Sequence, residues 1–283
     1  MTVDLQGQTI LITGATDGIG RITATELARM GAQVIVLGRN PAKTRSVVSK
    51  IQHDTGNSQV AMLIGDLSDL SEVRCLAEEF HQRFDRLNVL INNAGAVFFR
   101  HHTTADGYEM TLALNHLSPF LLTNLLLDRL TASTPARVIT VSSAAHWSGH
   151  VDPDRLNGHR HYWGWRAYSQ SKLMNILFTR ELARRLPPGV TANAAHPGFV
   201  ASNFGKSNGG IYRALWSVFE LAAISPEQGA RTSIYLASSP EVAGVTGEYF
   251  VDCKPQRTSL ESYNEDIARR LWDVSLKLTG LTD

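Results

Sequence analysis

Tyr168 and Lys172 stand four residues apart in a stretch whose apolar spacing predicts a helix over residues 167–186. That spacing sets a phenol and an ammonium on one helical face. A free tyrosine ionises near pH 10 and shuttles protons poorly at neutrality. A neighbouring ammonium favours the phenolate and is expected to draw Tyr168 toward the working range. The pair is suited to giving a proton to a substrate oxygen, or taking one away. A Tyr-x-x-x-Lys pair alone occurs by chance in many helices, so its surroundings decide its meaning. Just upstream, residues 138–141 read as a strand that ends in Ser142-Ser143. In a parallel sheet the carboxyl ends of the central strands face the ligand crevice, which aims a serine there at the same place.

The elements that must position this pair begin at the first strand. Residues 9–13 run directly into Gly14-Ala15-Thr16-Asp17-Gly18-Ile19-Gly20, and a helical pattern follows. Glycines let the backbone turn sharply and approach a pyrophosphate, whose charge then rests on the helix N-terminus. The spacing is GxxxGxG, and no Gly-Lys-Ser/Thr follows Gly20, so it is not a P-loop. At the end of the second strand, Gly38-Arg39-Asn40 has no carboxylate for a ribose 2′-hydroxyl. Arg39 suits a 2′-phosphate instead, which favours NADP (NADPH) over NAD. Asp66, followed by Leu67, reads either as an acceptor for the adenine amino group or as a helix cap.

The fold class expected is α/β, a single Rossmann-type doubly wound domain. Short apolar runs at 9–13, 33–37, 60–64, 89–91, 138–141, 191–195 and 249–251 predict a seven-stranded parallel sheet. Helical patterns at 19–30, 42–54, 70–84, 105–130, 167–186 and 226–238 alternate with them. Residues 146–166 read as an insertion, 199–224 as a loop and apolar helix forming a substrate lid, and 260–283 as a C-terminal helical extension. No linker, repeat or low-complexity tract divides the chain.

Composition excludes several classes of function. A formal net charge of +1 offers no footprint for nucleic acid. Cys75 and Cys253 are far apart, which suits a reducing, cytoplasmic setting. Residues 1–8 carry no basic or apolar leader, and no run approaches the length of a membrane span. His146, His150, His159 and His161 show no metal-ligand spacing, so no metal is expected.

Thr13–Gly20, Asn92-Asn93-Ala94-Gly95, Asn115, Ser143, Tyr168-Ser169-Gln170-Ser171-Lys172 and Pro197-Gly198 together resemble the short-chain dehydrogenase/reductase family over about residues 8 to 252. Segments 177–186, 195–198 and 247–253 resemble its retinol dehydrogenase-like branch. The resemblance implies an NADP-dependent interconversion of an alcohol with an aldehyde or ketone, with a small-molecule carbonyl or alcohol as partner. It makes Tyr168 the acid in reduction and the base in oxidation, with Lys172 on the nicotinamide ribose. Ser143 would hold the substrate oxygen, Ser142 being expected to point into the sheet. Asn115 would anchor a water leading from Lys172 to solvent. Backbone at Asn93, Ala94 and Gly95 would line the adenosine side; Pro197, Gly198 and Val200 would meet the nicotinamide amide, with Ser202 supplying a hydroxyl. A homodimer or homotetramer paired through the helices of Asn115 and Tyr168 is also implied. Animal retinol dehydrogenases carry an N-terminal membrane anchor where this chain begins almost at strand one, which argues against a membrane-dissolved retinoid.

Trp147, Tyr162, Trp163 and Trp165 lie close to the Tyr168 helix. They read either as packing for a long loop or as an apolar wall for a bulky, lipophilic substrate. Two other readings share parts of the pattern. A regulator that senses NADP without catalysis needs the cradle but not the intact Ser-Tyr-Lys-Asn set. A nucleotide-sugar epimerase also uses Tyr and Lys, usually with GxxGxxG spacing and a longer chain.

Overall fold

The computed structural model describes residues 3–157, 162–198 and 224–282. Seven strands pair in parallel: β1 (Thr9–Thr13), β2 (Gln33–Gly38), β3 (Val60–Ile64), β4 (Val89–Asn92), β5 (Ala136–Val141), β6 (Val190–His196) and β7 (Tyr249–Val251). They are apolar almost throughout because both sheet faces are covered. The sheet order is β3-β2-β1-β4-β5-β6-β7-β8, so the winding reverses between β1 and β4. Ligands of such sheets bind outside the strand ends at that reversal.

The sheet has eight strands rather than the expected seven. β8 (Lys254–Pro255) runs antiparallel to β7 after a turn through Asp252 and Cys253, at φ 47° and 62°. That backbone suits a two-residue hairpin, but the usual Asn-Gly signal is missing and the strand itself is half proline.

Along the chain the helices are α1 (Gly18–Arg29), α2 (Pro41–Thr55), α3 (Leu70–Arg83), α4 (Met110–Leu112), α5 (Ser118–Leu125), α6 (Leu127–Ala132), α7 (Gly164–Arg185), α8 (Pro226–Ser238) and α9 (Glu265–Thr279). The helix expected over 105–130 starts at Met110, because a turn at Asp106-Gly107 precedes it. It then passes through a π-helical turn, Ala113–Leu117, and breaks again at Leu126. One sheet face is packed by a core that includes Leu27, Val48 and Leu236 from α1, α2 and α8. The other carries Phe80, Leu121 and Leu177 from α3, α5 and α7, together with Leu271 and Trp272 of α9.

α9 is the expected C-terminal extension, and it lies on the helices through which copies were expected to pair. The Trp272 ring meets Phe120 of α5 at 4.9 Å and stacks on Phe178 of α7 at 6.0 Å. Arg185 covers the indole, and Ser275 bonds His116 at 2.8 Å. The face bearing His116, Phe120 and Phe178 is therefore filled from within the chain. No described helix is long and apolar enough to cross a membrane.

Replacing a buried indole by a methyl group costs about 3–5 kcal/mol. Trp272→Ala is expected to lower the unfolding free energy from urea titration by that order, seen as a lower midpoint at unchanged slope. Removal of residues 265–283 should uncover Phe120 and Phe178 and produce concentration-dependent self-association in light scattering. A truncated chain that stays monodisperse would show that α9 is not the cover.

Candidate functional site

The glycine loop after β1 is shaped against the end of β4. Gly14 and Gly18 adopt φ 63° and 48°, which favour glycine. A Cβ on Gly14 would lie 2.9 Å from the Ala94 Cα, and one on Gly20 would lie 2.5 Å from Asn93 Nδ2. Thr13 Oγ1 accepts the backbone N–H of Asn93 and of Ala94, both at 2.9 Å. Asn93 Nδ2 donates back to the carbonyls of Thr13 (2.8 Å) and Gly14 (3.2 Å). Asn93 thus acts through its side chain, locking the cradle, as well as through its backbone. The loop then feeds α1, with Asp17 accepting from Gly18 N at 2.8 Å and Ile19 in the first turn. This close-fitted backbone at a helix N-terminus, at the sheet reversal, fits a dinucleotide pyrophosphate.

Two basic residues, Arg39 and Lys43, flank the start of α2 after β2. Thr16 seats against Gly38 at the end of β2, where a Cβ would meet its methyl at 2.3 Å. Arg39 follows, exposed. Asn40 caps α2 by accepting from Lys43 N at 2.9 Å. Lys43 Nζ pairs with Asp17 Oδ2 at 2.8 Å. Both side chains are about half exposed, so such a pair is worth about 1 kcal/mol or less. Asp66 Oδ1 accepts from both Ser68 N (2.9 Å) and Ser68 Oγ (2.8 Å), a local turn, whereas the cap of α3 is Asp69, which accepts from Ser71 N and Glu72 N. Leu67 is buried in the core beside it.

Ser143, Tyr168, Lys172 and Asn115 come together where β5 meets α7. Tyr168 is only 6% exposed, its ring set among Val97, Ala145 and Phe99. Burial pushes its phenol well above the ordinary tyrosine range, while a hydrogen bond with the Ser143 side chain pulls the other way. Lys172 Nζ lies 5.5 Å from the Tyr168 ring centroid and donates to the Val141 carbonyl at 3.0 Å. Burial lowers the Lys172 ammonium to about 8. The Tyr-Lys spacing led to the expectation of a lowered phenol; in the structure burial is the larger influence on Tyr168 and acts in the opposite direction.

Ser142 is excluded from the site, as expected, but by α7 rather than by the sheet. Its hydroxyl donates to the Lys172 carbonyl at 2.7 Å. Asn115 sits mid-way through the π turn, a feature often found at functional positions. Its Oδ1 accepts from Ala96 N (2.9 Å), and its Nδ2 donates to Ala96 O and Ser171 Oγ (3.0 Å each). With both amide protons committed, Asn115 shapes the loop after β4 rather than presenting a free amide. Gly95 lies between them, its Cβ direction 3.2 Å from Asn115 Oδ1 and 3.3 Å from Lys172 Nζ.

Pro197 and Gly198 follow β6 beside the same crevice, with Gly198 at φ 82°. Val200, Ser202, His159, His161 and the lid expected from 199 lie outside the described residues. The four aromatics of the insertion fall into three placements. Trp165 contacts the Tyr168 ring at 5.6 Å, whereas Trp147 and Trp163 are 60% and 66% exposed. Tyr162 turns inward instead, its hydroxyl donating to the Phe98 carbonyl at 2.7 Å and lying 3.1 Å from Glu109. Its side chain lines a small cavity with Leu112, Leu156, Trp163 and Met174. No metal-holding cluster exists among the described residues.

Three neighbours of the site escape a motif-based reading. Thr13 belongs to the apolar strand run, and nothing in its type marks the two N–H groups it accepts. Lys43 was visible as a cation four residues past Arg39. His146 is wholly buried behind Ser143, and only its adjacency to the serine hinted at this.

The short chain dehydrogenase family model matches residues 8–209. Human retinol dehydrogenase 11 is 44% identical over 281 residues, spanning 99% of this chain and 88% of the relative. Mouse retinol dehydrogenase 12 is 45% identical over 280 residues, again 99% and 88%. A crystal structure of an uncharacterised Mycobacterium paratuberculosis protein superposes with TM-score 0.80 at 36% identity, covering 99% of this chain and 96% of that one. A short chain dehydrogenase from Shigella flexneri complexed with NADP gives 0.68 at 25% identity, covering 90% and 100%. Glycine cradle, Ser-Tyr-Lys cluster and whole-chain likeness agree: this chain belongs to the short-chain dehydrogenase/reductase family, in its retinol dehydrogenase-like branch, and is an alcohol/carbonyl oxidoreductase that uses a nicotinamide dinucleotide.

Proposed function

We propose that the chain is an NADP-dependent alcohol dehydrogenase or carbonyl reductase acting on a bulky, lipophilic substrate, with residues 1–283 as one catalytic domain. The observation that carries this reading is the buried Ser143-Tyr168-Lys172 cluster at the end of β5, one strand from the glycine cradle. Arg39, with Lys43 beside it, supports NADP through the 2′-phosphate. The retinol dehydrogenase names of the relatives and the exposed Trp147 and Trp163 near Ser143 and α7 support a large apolar substrate. Free thiols at Cys75 and Cys253 fit a reducing, cytoplasmic compartment.

In this reading Gly14, Thr16, Gly18, Ile19 and Gly20 hold the pyrophosphate. Arg39, Asp66 and Leu67 hold the adenosine end. Asn93 to Gly95, Pro197 and Gly198, with Val200 and Ser202, line the remainder. The bound nicotinamide supplies or accepts the hydride. Ser143 Oγ bonds the substrate oxygen and orients the reacting carbon. Tyr168 Oη, proton held by burial, gives that proton to the oxygen in reduction and recovers it in oxidation. Lys172 holds the nicotinamide ribose and supplies positive charge beneath the phenol.

Tyr168→Phe removes the proton and nothing of the ring. It is expected to cut NADPH-dependent turnover of lipophilic aldehydes and ketones by about a hundredfold or more while leaving NADPH fluorescence binding intact. Retained turnover sinks the mechanism. Tight NADPH binding by the parent chain with no turnover across a broad panel favours a sensor instead.

Arg39→Ala and Lys43→Ala should each raise the KM for NADPH by about tenfold and leave that for NADH unmoved, as loss of a charge-assisted phosphate bond requires. Equal effects on both cofactors would refute the 2′-phosphate assignment.

Lys172 should also impose a pH limit on cofactor binding. Its ammonium is retained below about 8 and lost above. The Kd for NADPH is therefore expected to be flat from pH 6.5 to 7.5 and to weaken as pH rises past about 8. A Kd unchanged to pH 9.5 would show that Lys172 charge does not hold the cofactor.

A further inference from the structure

We propose that His146 is a positioning residue for Ser143, fixing the backbone that aims the serine and tying it to the C-terminal segment. The proposal rests on the reading of Ser143 as the hydroxyl that holds the substrate oxygen. His146 lies in the 3-10 turn Ala144–Ser148, which Ser143 itself caps by accepting from Ala145 N at 3.2 Å. The imidazole is fully buried, yet both ring nitrogens are engaged. Nδ1 is 2.7 Å from the Ser143 carbonyl, a group that only accepts, so Nδ1 carries the proton. Nε2 is 3.3 Å from the Ser259 backbone N, a group that only donates, so Nε2 offers a lone pair. One neutral tautomer satisfies both bonds, and burial favours the neutral ring.

The consequence for Ser143 is geometric. Its carbonyl accepts from His146 twice, from the ring at 2.7 Å and from the backbone N–H at 3.1 Å. Two donors on one oxygen hold the peptide plane after Ser143, and with it the backbone dihedral that directs its Cβ. The ring is itself held between Trp147 at 5.2 Å and Tyr249 of β7 at 5.0 Å.

On its far side the ring reaches a segment that is firmly docked. Arg180 of α7 donates to Ser262 O and Oγ, both at 2.7 Å, and to Thr258 Oγ1 at 3.1 Å. Glu261 accepts from Val151 N at 2.7 Å and lies 3.0 Å from His150 Nδ1. His146 carries that rigidity to the serine. A histidine present only to fill space would need neither bond.

Three substitutions separate the two ring nitrogens. His146→Asn places an amide donor where Nδ1 lies, and His146→Gln places an acceptor near Nε2. His146→Phe keeps a ring with neither. With NADPH and a turned-over aldehyde, kcat is expected to fall by about tenfold or more in the Phe and Gln variants, the scale of a slightly misplaced reactive group. It should return to within a few-fold of the parent in the Asn variant, with the KM for NADPH unchanged in all three. Melting temperature should follow the other nitrogen, with Gln above Asn. In a Ser143→Ala background, His146→Phe should produce no further loss of kcat. The proposal is overturned if Asn is no better than Phe, or if the Phe loss persists at full size without the Ser143 hydroxyl. Full turnover by Ser143→Ala alone would instead overturn the reading of Ser143, a result these outcomes do not resemble.

Discussion

Lys172 carries a charge into a place with almost no water. Its side chain is 3% exposed, and its ammonium donates to the Val141 carbonyl at 3.0 Å. Burial makes the folded chain hold this proton less tightly than the unfolded one, about 8 against an ordinary 10.5. The buried ammonium therefore subtracts from stability below about 8, and that cost fades as pH climbs toward the unfolded value. What the chain obtains is registration. Asn175 of α7 donates to the same carbonyl at 3.1 Å, and Ser142 returns a bond to the Lys172 carbonyl at 2.7 Å. The end of β5 and the middle of α7 are thus pinned face to face, which sets Ser143 against Tyr168.

The cofactor side is built on the same logic of one strand end locking another. Asn93 and Thr13 exchange bonds across the β1–β4 reversal, so the glycine loop is shaped by protein contacts alone. Gly14 and Gly20 are required by Ala94 and Asn93 as much as by any phosphate. From the same turn the chain continues to Gly95 and Ala96, where the Asn115 side chain grips the backbone. The cradle and the Asn115–Lys172 neighbourhood share a single loop, Asn93 to Ala96, so a shift in one moves the other.

Much of this was readable because it is local. Strand runs, the glycine spacing and the Tyr-Lys step are patterns within a few residues, and each fell where expected, with boundaries off by a residue or two. What could not be read depends on contacts between distant segments. The phenol of Tyr168 was expected to be lowered because spacing shows the lysine and hides the desolvation imposed by Val97 and Ala145. Tyr162 looked like its tryptophan neighbours, yet Phe98 and Glu109, far away in sequence, draw it inward. The π turn at Asn115 leaves no compositional trace, and β8 is too short to carry one.

The C-terminal region illustrates why motif and site are not coextensive. The family model ends at residue 209, while the relatives match 99% of the chain. Beyond 209 come β7, whose Tyr249 stacks on His196 at 6.3 Å and meets His146 at 5.0 Å, and the 3-10 turn Leu260–Tyr263, docked through Arg180. α9 then covers the outer face of α5 and α7. The contacts to His146, Arg180 and Phe178 bear on the turn after Ser143 and on α7, which carry the Ser-Tyr-Lys cluster. Tyr168 must keep one rotamer against Ser143 while its own helix bears a buried cation, and such a helix is held in place only if its far side is also packed. The C-terminal extension supplies that packing through Trp272 on Phe178 and the Arg180–Ser262 bonds.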